Sequence, residues 1–126
     1  MSKANLEFAK FGEEKAVDFL KANGYKIIKQ NYKTRFGEID IIAREKDTVV
    51  FIEVKARHTD TFGEPEAAVG RFKQGQISKT ALCYLKENKL LDKKARFDIV
   101  AIRYIDQAPK INLIKNAFEL DSKYIY

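Results

Sequence analysis

The chain predicts a mixed α/β fold, and three observations carry that prediction. Two stretches place apolar residues at helical spacing. Five others are short, rich in β-branched and aromatic residues, and mostly bounded by turn residues. They follow one another in the order α-β-β-β-α-β-β, with no internal repeat, low-complexity tract or linker, which describes a central sheet flanked by helices. At 126 residues the chain suits one domain, 1–126, able to bury about two-thirds of its unfolded surface.

From about Ala4 to Asn23, Leu6, Ala9, Ala16, Val17 and Leu20 recur at helical spacing, and Gly24 follows as the expected C′ residue. "YKIIKQNYKT" has strand composition. Two stronger strands follow, Gly37 to Arg44 and Val49 to Arg57, with "EKDT" as the turn between them. After Arg57, "HTDTFGEPEAAVG" reads as a surface loop. Helix resumes near Ala67 or Phe72 and runs to about Asn88, with Ile77, Ala81, Leu82 and Leu85 on one face. "RFDIVAIRYI" reads as a central strand because of its apolar run, and "KINLIKNAF" as a final strand or edge segment.

Composition narrows the classes. The chain is 45% hydrophobic and 33% charged with two Pro and six Gly, which weighs against disorder. It has no apolar run of membrane-spanning length and no signal-peptide pattern, so a cytoplasmic protein is expected. A single cysteine, Cys83, excludes an internal disulfide framework and a Cys-based zinc site; its helical apolar setting suggests core packing. The net charge of +6 suits a polyanionic partner such as nucleic acid.

The segment "RFGEIDIIAREKDTVVFIEVKAR" sets Glu38, Asp40, Glu53 and Lys55 into the two most apolar strands. Centring the turn between Lys46 and Asp47 makes cross-strand partners sum to 93. Asp40 then faces Glu53 and Glu38 faces Lys55, while Ile39, Ile41 and Ala43 pair with Val54, Ile52 and Val50 on a wholly apolar reverse face. Lys46-Asp47 is not a favoured two-residue turn, so a longer loop is the alternative. In the first register the two carboxylates repel by roughly 3 kcal/mol at an effective dielectric near 20. A shared proton or a hard divalent cation would relieve this. Lys55 on the same face favours the cation; oxygen donors select Mg²⁺ or Mn²⁺. Such an ion polarises a phosphoryl oxygen and acidifies a water that Lys55 could orient. The plainer alternative is a solvated hairpin face with an ordinary Glu38–Lys55 ion pair.

The motif G-E-I-D-I-I-A at Gly37 to Ala43, followed by F-I-E-V-K at Phe51 to Lys55, resembles the PD-(D/E)XK nuclease superfamily. More narrowly it is similar to the YraN-like family of small bacterial proteins, which is placed by fold with archaeal Holliday-junction resolvases. The similarity spans nearly the whole chain, from "FGEEKAVDFLKANGY" to "IKNAF". It implies a restriction-endonuclease-like fold in which Asp40, Glu53 and the Val54 carbonyl hold the metal and Lys55 is the catalytic lysine. It further implies a helix glutamate at Glu13, with Glu14 as the other candidate. Glu38 is either a third acid or the partner of Lys55. Ile39 stands where the superfamily has its proline, a substitution normal for the narrower family. Arg96 and Asp98 are expected to be a structural ion pair, and His58 an exposed loop residue.

Nucleic-acid contacts are expected from Arg35, Arg57, Arg71, Lys73, Gln74 and Lys79, with helix lysines such as Lys10. Phe36 and Phe62 are candidates to stack on unpaired bases, though core packing or loop anchoring explains them equally. The leading expectation is a Mg²⁺- or Mn²⁺-dependent nuclease acting on DNA, branched or single-stranded, with a homodimer possible because resolvase-like relatives are dimers. The alternative is a non-catalytic nucleic-acid- or partner-binding module on a nuclease scaffold. A small-molecule phosphohydrolase ranks last, because no Gly-rich phosphate loop is present.

Overall fold

A computed structural model of the chain describes residues 3–57, 70–105 and 108–119. Helix α1 (Lys3–Ala22) stops where the sequence provides a left-handed residue: Gly24 has φ 89°, the Tyr25 N–H bonds the Leu20 carbonyl and the Gly24 N–H bonds Lys21. Strands β1 (Lys26–Thr34), β2 (Gly37–Glu45) and β3 (Thr48–Arg57) form an antiparallel meander. Helix α2 (Arg71–Glu87) carries the chain to β4 (Lys94–Ile105), which lies parallel to β3, and β5 (Ala108–Phe118) returns antiparallel along the edge. Parallel neighbours require a crossover, and α2 is that crossover.

The sheet order is β1-β2-β3-β4-β5, so β3 is the middle strand and β4 sits beside it, paired on both sides. Each face is covered by one helix. Ala16, Val17 and Leu20 of α1 pack with Ile41, Ala43, Val50, Ile52, Val100 and Ile102. On the other face Ile77, Ala81, Tyr84 and Leu85 of α2 pack with Tyr32, Ile42, Phe51, Phe97 and Ile99. Burial on both faces explains why the central strands are near-continuous apolar runs.

The β2–β3 ladder runs from Glu45–Thr48 to Ile41–Ile52, the expected sum of 93, and Lys46 turns it with φ 55°. Beyond Ile41 the expected alternation fails. Ile39 joins Ile42 in the α2-side core, whereas Ile41 and Ala43 lie on the α1 side with Val54 at their margin. The reverse face proposed for Ile39, Ile41 and Ala43 is therefore not one surface: β2 changes faces at Asp40. The opening loop predicted at 58–70, with His58 and Phe62, and the earlier helix start near Ala67 lie outside the described residues except for Gly70; the described helix begins at Arg71.

Candidate functional site

Where β2 changes faces, a side chain replaces the missing ladder bond. The Val54 N–H donates to Asp40 Oδ2 at 2.9 Å, so the carboxylate of one strand caps the peptide of the other and holds the fork between them. Glu53, one residue earlier, is buried at 9% exposure beside the fork. A buried carboxylate needs compensation, and two ammonium groups supply it: Lys73 Nζ lies 3.0 Å and Lys55 Nζ 3.6 Å from Glu53 Oε1. Lys55 comes from the same strand. Lys73 comes from the first turn of α2, so the helix over one sheet face closes the site from that side.

Helix α1 closes it from the other. A Cβ on Gly12 would sit 3.0 Å from the Ala56 Cβ, so α1 crosses β3 closely enough that any larger residue there would have to shift its neighbour by a few tenths of an ångström. The following residue, Glu13, is half-buried, while Glu14 is exposed. This separates the two glutamate candidates in favour of Glu13. Asn31 of β1 then links Glu13 to β2. With its amide nitrogen turned toward the carboxylates, it donates to Glu13 Oε1 at 3.1 Å and to Glu38 Oε1 at 2.9 Å. Its backbone is left-handed, φ 55°, a conformation asparagine tolerates better than most residues. Asn31 lies between the registered pairs Gln30–Ile41 and Tyr32–Ile39, opposite Asp40.

The electrostatics follow from this crowding. Burial, then the Glu53 charge, pushes Asp40 up to about 7, with Glu13 and Glu38 adding to the rise and the Val54 N–H opposing it. Burial raises Glu13 as well, helped by Glu38 and Glu53. Lys55 moves the other way: burial lowers it, and the neighbouring Lys73 charge adds to the fall against the pull of Glu53. Lys73 is raised: burial is the largest single influence and opposes the rise, but the bond and charge of Glu53, with Lys55 and Asp40, together outweigh it. An acid and an amine side by side are thus both driven toward their neutral forms, a signature of reactive sites.

The structure brings Glu13, Glu38, Asp40, Glu53, Lys55 and Lys73 into one electrostatic group, with the Val54 peptide against Asp40. Glu38 is exposed, and its bond comes from Asn31; the ion pair of Lys55 is with Glu53, not with Glu38. Arg35 and Lys79 meet on the Phe36 ring. Arg71 is exposed and Gln74 half-buried, the latter with its backbone N–H bonded to the Gly70 carbonyl. Arg57 is half-buried at the end of β3, its Nε buried with no hydrogen bond to the described residues. Cys83 is half-buried and free of any disulfide. Sequence reasoning missed Asn31 as part of the site. Its position one residue before a buried tyrosine on a strand of mixed composition offered no signal.

Among the described residues no three Asp, Glu, His or Cys side chains converge closely enough to chelate an ion. The donor chemistry still matches a hard divalent cation. Asp40, Glu53 and the Val54 peptide offer oxygen atoms, the Asp40–Glu53 repulsion calls for positive charge, and Lys73 now places one such charge on Glu53. Among the described residues no helix is long and apolar enough to cross a membrane.

These features define an α/β protein with a five-stranded mixed sheet between two helices and a carboxylate–lysine site at the fork of its central hairpin. The chain belongs to the uncharacterised protein family UPF0102, which matches residues 12–102. A UPF0102 protein of Syntrophus aciditrophicus is 52% identical over 116 residues, 92% of this chain and 91% of its own. One from Geobacter metallireducens is 48% identical over 120 residues, 95% and 98% of the two chains. A solved structure of Pyrococcus furiosus SfsA in complex with Ca²⁺ aligns at 12% identity and a TM-score of 0.35, over 89% of this chain and 63% of that one; a likeness so slight carries no argument.

Proposed function

We propose that this protein is a metal-dependent nuclease of the PD-(D/E)XK, restriction-endonuclease-like class that hydrolyses phosphodiester bonds in DNA. One observation carries the reading: Asp40, Glu53 and Lys55 meet at a fork where Asp40 is raised to about 7 and Lys55 is lowered. Structural ion pairs drive their members the opposite way.

Asp40, Glu53 and the Val54 carbonyl would hold Mg²⁺ or Mn²⁺. Bound there, the ion would neutralise the carboxylate pair, polarise a phosphoryl oxygen and acidify a water. The rest falls to the chain's own groups. Lys55, held near Glu53 with its amine destabilised as a cation by burial, is placed to orient a water and exchange a proton with it. Lys73 leaves Glu53 for an incoming phosphate. Glu13 and Glu38, tied together through Asn31, supply negative charge at the rim. Arg35, Arg57, Arg71, Gln74 and Lys79 contribute phosphate contacts that position the strand without reading its sequence.

The test is cleavage of branched, nicked and single-stranded DNA with Mg²⁺ or Mn²⁺. Asp40→Ala and Lys55→Ala should each abolish it while circular dichroism stays native. Variants that cut like the parent protein would refute the assignment. A cytoplasmic location and a homodimer belong to the same reading, the latter measurable by sedimentation.

A second reading, a non-catalytic nucleic-acid- or partner-binding module, is favoured by a different observation: Lys73 already neutralises Glu53, and no three-acid chelate forms among the described residues. A crystal soaked in Mn²⁺ separates the two. Anomalous density joining Asp40 and Glu53 supports the enzyme; none at high Mn²⁺, with salt-sensitive DNA binding and no cleavage, supports the module.

A further inference from the structure

Phe72 is 80% exposed, the highest value for any large apolar side chain among the described residues. It stands in the first turn of α2, one residue from the lysine that touches Glu53. Phe72, Gln76 and Lys79 follow at spacings of four and three and so share one side of the helix.

The β1–β2 turn is docked on that same side. Thr34 Oγ1 and Thr80 Oγ1 are 3.2 Å apart, and a Cβ on Gly37 would lie 3.6 Å from the Gln76 Cβ. The turn brings Phe36 with it, and two cations collect on this one ring: Arg35 Cζ at 4.8 Å and Lys79 Nζ at 5.5 Å from its centroid. Two cations beside one ring offer a polyanion two points of attachment. Exposed Arg71 adds a further charge beside Phe72.

We infer that this side of α2 is a cradle for single-stranded nucleic acid, with backbone phosphates on Arg35 and Lys79 and an unpaired base stacked on Phe72. From Phe72 to Lys79 is about 10 Å along the helix axis, room for roughly three nucleotides of a stacked strand. A duplex presents phosphates to the cations but hides its base faces, so the exposed ring discriminates in favour of unpaired bases. The strand would then lie against Lys73 and the fork. This inference rests on the nuclease reading only for what happens to the strand after it is bound.

Binding is therefore measured without hydrolysis. Fluorescence anisotropy in EDTA would compare a labelled 20-nucleotide oligo(dT) with a mixed-sequence duplex of equal length. Phe72→Ala should weaken the single strand about tenfold, leave the duplex within about twofold, and be rescued by Phe72→Tyr. The double variant Arg35→Ala/Lys79→Ala should flatten the salt dependence of single-strand binding by about 1.4 log units per log unit, two phosphate contacts' worth. If Phe72→Ala changes neither probe or weakens both equally, the cradle is refuted. It is equally refuted if Phe72→Ala converts a dimer to a monomer on size exclusion without altering oligo(dT) affinity, since the ring then serves a second copy of the chain. Because binding is read in EDTA and cleavage separately with Mg²⁺, protein that binds oligo(dT) through Phe72 but never cuts fails the nuclease reading alone, and protein that cuts but binds equally well without Phe72 fails the cradle alone.

Discussion

The sheet carries two partly buried clusters of charge, one toward each end of β2, and they are built on opposite terms. Near Glu45, the Arg96 guanidinium donates to Asp98 at 3.0 Å, to Glu45 at 2.6 Å and to the Tyr25 hydroxyl at 2.9 Å. Tyr25 and the Asn116 N–H also donate to Asp98, at 2.8 and 2.9 Å, and Lys115 completes Glu45 at 3.1 Å. Each charged group whose shift is resolved there is driven toward its charged form: Arg96 lowers Glu45, and the bonds to Asp98 and Glu45 raise Arg96 although burial opposes it. At the fork, Asp40, Glu13 and Lys55 are driven toward neutrality. The same sheet and similar residue types thus give a satisfied network that ties β2, β4 and β5 to the residue preceding β1 and a frustrated one that has charge left to offer. The Arg96–Asp98 pair is structural, as the sequence suggested.

The largest expected effect comes from breaking the satisfied cluster. Asp98 is 1% exposed, and Asp98→Ala leaves the Tyr25 hydroxyl and the Asn116 N–H without their acceptor and Arg96 with Glu45 as its one remaining anion among the described residues; a loss of about 3–5 kcal/mol is expected in denaturant unfolding. A loss below about 1 kcal/mol would erase the contrast between the clusters. Next is Gly12→Ala, whose methyl group meets Ala56 and must move α1 against β3 by a few tenths of an ångström. It should cost about 1–3 kcal/mol in the same assay, with the shift concentrated at Glu13 in NMR spectra.

The frustrated cluster should respond in the opposite direction. Asp40 is raised from its ordinary value of 3.8 to about 7, so the folded state holds its proton more tightly than the unfolded chain does. The associated stability is fully present below about pH 4 and is lost as pH rises through 7. Asp40→Asn should therefore stabilise the protein by roughly 1 kcal/mol at pH 8, several degrees in Tm, and change little at pH 4. A destabilised variant at pH 8 would show that the carboxylate is satisfied after all. The smallest effect is expected for Asn31→Gly, which keeps the left-handed backbone and deletes the amide. It should cost about 0.5–1 kcal/mol and raise Glu13 further, read by carbon-detected titration of the glutamate carboxyls. A Glu13 titration that does not move would remove Asn31 from the site.

Much was legible before any coordinates. The hairpin register followed from matching apolar periods on two strands, and the ladder from Ile41–Ile52 to Glu45–Thr48 keeps it. Gly24 marked the end of α1, the order of elements was readable throughout, and the motif residues identified the family. These are local properties: a two- or 3.6-residue period and a left-handed glycine are written in neighbouring residues. The sequence also set Asp40 and Glu53 on neighbouring strands. The change of faces that creates the fork was not foreseen, because strict alternation was extended past Ile41 to Ile39.

What the tertiary structure alone decided are the meetings between distant elements. Lys73 reaches Glu53, Asn31 joins Glu13 to Glu38, and Phe36 gathers Lys79 because α1 and α2 cross the sheet at particular places. Sequence periodicity says which side of a helix is buried. It does not say where along a strand that helix lies, since that is set by close packing of whole layers, as where Gly12 meets Ala56. The sequence by itself determined the elements, their order and the charged hairpin, whereas the three-layer packing determined which charges were left unsatisfied.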